Sequence, residues 1–342
     1  MKVIKVSILI AFFLFSILAG FAYSVWNWAN ENAQPVISNQ PASIEISHGA
    51  NTSQIAGLLK QHNIIRSALL FKFYLRFLAV DHLMKPGLYS FKGNESMSEV
   101  VYSLLKGNQI TVPVTIPEGT TIKEVADILE DAGVCSAINF IEALAEPSLL
   151  GKVFSDWELI PQAEGLIFPD TYFFMKNSQA SIVAERMLRL MKYQISQIFT
   201  DRLPQGLSQY EGCILASIVE KEAVLDKERP VIASVFYNRL KKQMKLETDA
   251  SVQYALGTRK KRVLFEDLKI DSPYNTYLYP GLPPTPISNF GVASMKAVAS
   301  PANTDYIFFV ANGVNGGHNF SKTMAEHKRN TKEYYEKRKQ HK

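Results

Sequence analysis

Apolar and polar positions follow two regimes along this chain. From Val6 to Asn30 no residue carries a charge, and Lys2 and Lys5 precede the run. A helix needs about 20 predominantly apolar residues to cross a hydrocarbon core, so residues 1–30 predict a short stub and an N-terminal transmembrane helix. Tyr23, Trp26 and Trp28 fall at its far end, where aromatic rings favour the membrane interface. The two lysines predict a cytoplasmic N-terminus, with everything after residue 30 translocated. A cleaved signal peptide is the competing reading, because Gly20-Phe21-Ala22 offers a small-x-small cleavage pattern.

Beyond a polar linker over residues 31–42, short apolar runs of differing period follow one another. Ile46–Leu59 (ISHGANTSQIAGLL) and Ile116–Leu129 (IPEGTTIKEVADIL) match at a constant offset of 70 residues. Gly49 pairs with Gly119, Ile55 with Val125, Ala56 with Ala126, Leu58 with Ile128 and Leu59 with Leu129. Each copy predicts a strand, a glycine turn, polar capping residues and a helix with an apolar i, i+3, i+4 face. The stretch 68–81 predicts an apolar helix, Lys85-Pro86-Gly87 a turn into a strand, and 98–106 a short helix closed by Gly107. Residues 136–150 read as one further helix. Strands and helices alternate irregularly, which predicts an α+β fold.

In the second half, Glu164–Phe174 (EGLIFPDTYFF) reads as two apolar strands about a Pro169-Asp170 turn, and 181–199 as a long amphipathic helix. The stretch 212–223 (GCILASIVEKEA) predicts a helix whose apolar run ends in Glu220, Lys221 and Glu222. Ile214, Leu215, Ile218 and Val219 share a packing face, while Cys213, Ala216, Ser217 and Glu220 form a stripe of small residues ending in a carboxylate. That stripe leaves room beside Glu220 for a second helix or a substrate. Residues 229–240 predict a helix packed on it, and 246–257 place Asp249 where it could cap the next. The segment 272–286 (SPYNTYLYPGLPPTP) is a loop dense in Pro and Tyr, suited to stacking on sugar faces or to a structural role. Residues 306–311 read as an apolar strand.

Composition narrows the chemistry. At 342 residues the chain can bury a substantial core and divides into two or three domains. The net charge of +5 gathers largely in a basic tail after residue 327, with no accompanying nucleic-acid motif, so no nucleic-acid partner is expected. Cys135 and Cys213 stand alone in apolar surroundings, and six scattered histidines show no ligand spacing, so neither metal nor cofactor is expected. GxSxG and phosphate-binding glycine loops are missing, which leaves carboxylates as catalytic groups. Glu220 is the best candidate: at the edge of an apolar helix its pKa can rise from about 4.3 towards about 6, as in glycosidase acids. Hydrolysis would want a second carboxylate across the bond; Glu164, Asp170, Glu222, Asp249 and Asp271 are available, and spacing selects none.

Five motifs carry a resemblance: LASIVEKEA at 215–223, EGLIFPDTY at 164–172, VFYNRL at 235–240, SPYNTYLYPGLPPTPIS at 272–288 and GHNFS…EH at 317–327. In this order they resemble the endolytic murein transglycosylases, the MltG or YceG-like family, over roughly residues 40–330. The chain departs at Glu247 and Ala250, where the family usually has Gln and Pro, and at Phe290, where it usually has Pro. The resemblance implies a lyase at the bacterial inner membrane with its catalytic part periplasmic. One glutamate, matched by Glu220, protonates the oxygen leaving C1 of N-acetylmuramic acid, then assists attack by the sugar's own 6-hydroxyl. A 1,6-anhydro end results, nascent peptidoglycan strands are cut within their length, and strand elongation is terminated. Tyr237, Asn238, Asp249, Tyr254, Asn275 and Tyr277 are expected near the glycan groove, each with a structural role as the alternative. The repeat resembles LysM-type modules, which bind glycans containing N-acetylglucosamine.

The expected organisation is therefore a membrane stub and helix over 1–30, a linker and LysM-like region over 31–158, and a catalytic domain with a basic terminal helix over 159–342. Expected partners are peptidoglycan strands, the membrane and cell-wall synthases. A glycan-binding scaffold without catalysis is the alternative function.

Overall fold

The computed structural model describes residues 41–47, 49–107, 111–157, 160–258, 260, 262–313 and 316–340, together with residues 16, 19, 20, 22–24, 26 and 27. No helix among the described residues is long and apolar enough to cross a membrane. This corrects the expected N-terminal transmembrane helix, and with it the single-pass membrane partner and the inner-membrane localisation. Most of the predicted span lies outside the described residues. The α+β character of the chain stands, and two compact units divide it, residues 1–112 and 113–342.

In the first unit, β1 (Ala42–Ile46) runs antiparallel to β2 (Gly87–Phe91), with Ala42 opposite Phe91 and Ile46 opposite Gly87. Between them lie α1 (Thr52–Gln61) and α2 (Ala68–Phe77), and α3 (Met97–Lys106) follows. The Asn51 side chain accepts from the N–H groups of Ser53 and Gln54, and the Gln54 side chain accepts from Asn51 N–H; this capping box starts α1. Ser96 and Glu99 start α3 in the same way. The helix expected to reach Asp81 stops at Phe77, and Ala79 just beyond it takes a left-handed φ of 55°. Ile44, Ile55, Leu59, Phe71, Leu75, Tyr89, Phe91 and Leu104 form the core. Each large apolar side chain among them contributes roughly 1.5–3 kcal/mol by leaving water.

The second unit pairs β3 (Val112–Thr115) with β4 (Thr171–Phe174). Between these strands come α4 (Ile122–Asp131), α5 (Ala137–Ala145) and α6 (Pro147–Val153). One helix was expected over 136–150; Pro147 lacks the N–H that would continue α5 and instead opens α6. The 70-residue repeat is visible in backbone detail. Gly49 and Gly119 both adopt left-handed φ (80° and 74°), and capping boxes at Asn51 and Thr121 start helices of identical length. A second, serine-capped helix follows each.

Residues 164–168 do not form the predicted strand. Gly165 sits at φ 73° against Pro286 and the Ser288 carbonyl, and Ile167 N–H donates to the Asn289 side chain at 3.0 Å rather than to a neighbouring strand. Beyond α7 (Ala180–Ile198), α8 (Gln209–Glu222) is the buried axis of this unit. Helices α9 (Arg229–Lys241), α10 (Asp249–Leu256) and α11 (Val292–Ala299) all pack on it. Every residue from Gly212 to Val219 is buried, so α8 has no solvent side there to set against the expected packing face. Gly212 has no room for a side chain: a Cβ would lie 2.2 Å from a Leu203 methyl. A last hairpin, β5 (Phe308–Ala311) with β6 (His318–Ser321), packs under α12 (Met324–Gln340).

Candidate active site

The stripe of small residues on α8 accommodates polypeptide. Ser217 Oγ donates to the Ile214 carbonyl and accepts from Ile287 N–H at 3.0 Å, and Ser288 Oγ reaches the Ser217 carbonyl. Cys213, Ala216 and Ser217 are fully buried. From this anchorage the chain 287–291 runs towards the end of the helix. Asn289 N–H donates to the Thr120 carbonyl at 2.7 Å, and Gly119 N–H donates to the Asn289 carbonyl at 2.8 Å. The loop after β3 is thereby tied to the loop before α11. Lys221 Nζ adds a bond to the Gly119 carbonyl at 3.0 Å.

Glu220 lies at that junction, its side chain only 5% exposed. Its Oε2 accepts from Gly291 N–H at 3.0 Å and from Ser294 Oγ at 2.9 Å, at the N-terminal end of α11, where the helix dipole favours negative charge. Its Oε1 faces Arg229 Nη1 at 3.1 Å. Arg229 also donates to Ser294 Oγ at 2.6 Å and, through Nε, to Asp226 at 3.0 Å. Burial works against the guanidinium charge, but Asp226 and Glu220 outweigh it and hold the Arg229 pKa above its ordinary value. Three donors from two segments thus fix one buried carboxyl. That is the preorganisation an acid–base group needs.

A second carboxyl stands beside it, one that sequence reasoning missed. A Cβ built on Gly291 would lie 1.6 Å from Glu118 Oε1, so the Glu118 side chain rests against the Gly291 backbone. Glu118 is exposed as a residue, but its carboxyl end is partly buried against the Gly291 backbone. That burial, followed by the charge of Glu220, pushes its pKa up, while Arg229 opposes the shift. The only sequence signal was its place in the IPEGTT turn, which reads as an ordinary capping loop.

Of the five carboxylates proposed as partners, Glu164 and Glu222 are deeply buried. Glu164 accepts from Ile122 N–H at 3.1 Å and from Gly165 N–H at 3.3 Å, and burial still pushes its carboxyl up to about 7. Glu222 has its carboxyl raised by burial, against donation from the Thr248 hydroxyl and Ala250 N–H. The Ala250 N–H is one that the family's usual proline would lack.

The remaining expected residues divide. Tyr277 Oη donates to Asp249 Oδ1 at 2.7 Å, so these two meet, next to Glu222. Tyr254 Oη donates to Glu164 at 3.3 Å, and its ring packs against Tyr274 with centroids 4.8 Å apart. Asp249 is the first residue of α10, with Thr248 at the cap position. Tyr237 is buried and donates to the Val298 carbonyl; Asn238 donates to the carbonyls of Thr304 and Tyr306. Asn275 is fully buried and donates to the carbonyls of Leu268 and Ile270. These three make structural bonds inside the unit. Phe290, the departure beside the site, is fully buried and presents no side chain to a ligand. Among the described residues no group of three or more His, Cys, Asp or Glu side chains could hold a metal ion.

A sequence profile of the YceG-like family matches residues 44–333. The chain is 31% identical to an endolytic murein transglycosylase of Bacillus subtilis (strain 168) over 310 residues, 87% of this chain and 86% of that one. It is 27% identical to an endolytic murein transglycosylase of Streptococcus pneumoniae serotype 2, covering 95% of this chain and 64% of the relative. A crystal structure of a YceG-like protein from Listeria monocytogenes superposes with a TM-score of 0.59 at 32% identity, over 85% of this chain and 99% of the other. The chain belongs to the YceG-like family and is an enzyme of its lytic transglycosylase, lyase type.

Proposed function

We propose that this enzyme cuts peptidoglycan strands within their length at the β-1,4 bond between N-acetylmuramic acid and N-acetylglucosamine, leaving 1,6-anhydro ends. The observation that carries the reading is Glu220: a nearly enclosed carboxyl held by Gly291 N–H, Ser294 and Arg229, inside the motif through which the chain resembles its relatives. A proton given to the oxygen leaving C1 opens the bond. The 6-hydroxyl of the same sugar closes on C1, and a carboxylate takes up its proton. Because the nucleophile belongs to the substrate, no water has to be activated, and proximity supplies much of the rate. Such cuts in nascent strands would end their elongation.

The 70-residue repeat fits a LysM-like role in holding glycan. In the first copy an open groove of about 500 Å³ is lined by Ser47, Gly49, Gln54 and Gln61. Its small residues and amide groups suit a sugar face and its hydroxyls.

Incubating the protein with purified peptidoglycan and weighing the fragments tests the reaction. Ends one water lighter than a reducing sugar are expected, and Glu220→Gln should abolish them. Ordinary reducing ends, or cleavage indifferent to Glu220→Gln, would overturn the assignment.

A further inference from the structure

Two carboxyls converge on Gly291. Its N–H donates to Glu220 Oε2 at 3.0 Å, and the space above its Cα is filled by Glu118 Oε1. Standard backbone dimensions then place Glu118 Oε1 within roughly 7 Å of Glu220 Oε2. Their surroundings differ. Both oxygens of Glu220 already accept from donors, which is how a carboxylate is held. Glu118 has, among the described residues, no hydrogen-bond or ion-pair partner for its carboxyl, and it belongs to an exposed residue. The charged groups facing it are Glu220 from α8, Asp226 from the turn before α9 and Arg229 at the start of α9, while Lys221 binds the neighbouring Gly119 carbonyl. Burial and the Glu220 charge both favour a proton on Glu118.

We propose that Glu118 is a second catalytic carboxyl, the acid that protonates the leaving glycosidic oxygen, while Glu220 is the base. This rests on the lyase reading of the Glu220 site and divides between two groups the roles that one would otherwise perform in turn. As the C1–O bond to the leaving sugar breaks, the Glu118 proton passes to that oxygen. As the bond from C1 to the 6-hydroxyl oxygen forms, its proton passes to Glu220. One bond is broken, one is formed, and no water is consumed. A proton returned from Glu220 to Glu118 through one water restores the starting state. Two carboxyls held in unlike surroundings are how acid and base are assigned elsewhere.

Glu118→Gln keeps shape and removes the proton. It should lower kcat by at least about 100-fold, leave KM within about threefold, and remove the alkaline fall of the wild-type pH–rate profile. Gly291→Ala tests position without altering charge. Gly291 has an ordinary φ of −92°, so the added Cβ strains nothing but the Glu118 side chain it displaces. It should also lower kcat, and the double variant should be no slower than Glu118→Gln alone. Melting temperatures near wild type would show both variants folded. A Glu118→Gln kcat within about twofold of wild type, or a reduced kcat whose alkaline limb persists, overturns the proposal. If wild type forms anhydro ends while Glu118→Gln matches it, this proposal alone fails. If wild type forms none, the reading of Glu220 fails instead.

Discussion

Glu164 makes a stability prediction whose sign and size follow from its surroundings. The carboxyl is buried to 7% exposure at the N-terminal end of α4, where Ile122 N–H, Gly165 N–H and Tyr254 Oη donate to it. Those bonds favour the charged form, yet desolvation outweighs them and lifts the folded-state value to about 7 from a reference of 4.5. The folded protein therefore binds a proton between these values that the unfolded chain does not. The resulting stability is fully present below about pH 4.5 and is lost as pH rises through about 7. A shift of this size corresponds to about 3 kcal/mol. Glu164→Gln keeps an acceptor for both N–H groups and offers Tyr254 an amide N–H, but has nothing to titrate. Urea unfolding of both proteins, followed by tryptophan fluorescence from pH 5 to pH 8.5, measures the difference directly. Glu118 and Glu222 titrate in both and cancel. Near-equal stabilities at pH 5 should separate by about 3 kcal/mol at pH 8.5, with wild type the weaker. A difference that stays constant across the range would refute a buried proton on Glu164.

Two further outcomes test the roles of residues around the site. Ser294→Ala removes one donor from Glu220 Oε2 and an acceptor from Arg229; a bond to a charged group is worth about 1.5–3 kcal/mol, so kcat should fall roughly 10–100-fold in a peptidoglycan-cleavage assay. Asn238→Ala unpairs the carbonyls of Thr304 and Tyr306; the melting temperature should drop by an amount corresponding to about 1–3 kcal/mol while kcat of the folded protein is unchanged, and a kcat loss without destabilisation would make Asn238 a substrate contact.

Much of the fold was legible because it is local. The apolar spacing and capping residues of 52–61 and 122–131 are enough to start and face those helices, and both are found with intact capping boxes. Residues 164–168 were misread because their apolar pattern is satisfied from far along the chain: Ile167 bonds Asn289, 122 positions away. Similarly, Tyr237, Asn238 and Asn275 have the residue types of sugar-binding side chains. The carbonyls bonded by Tyr237 and Asn238 lie 61 and 66 residues away, and those bonded by Asn275 lie seven and five residues back, so only the folded chain shows where these polar groups are bonded.

Glu220 could be singled out by its position at the end of an apolar helix, but the meaning of the small-residue stripe before it could not. Ser217 receives the segment 287–288, and that segment carries Asn289 and Gly291 onward to two different elements. Asn289 bonds the 119–120 turn of the second repeat copy, and Gly291 bonds Glu220. The glycine turn that reads, in isolation, as part of a glycan-binding module therefore delivers Glu118 to the side of the buried carboxyl. Its equivalent in the first copy is His48, so the repeat gave no reason to look for an acid at this position. The repeat's second copy is part of the wall of the candidate active site, and a substitution in the 117–120 turn should be judged by its effect on catalysis before its effect on glycan affinity.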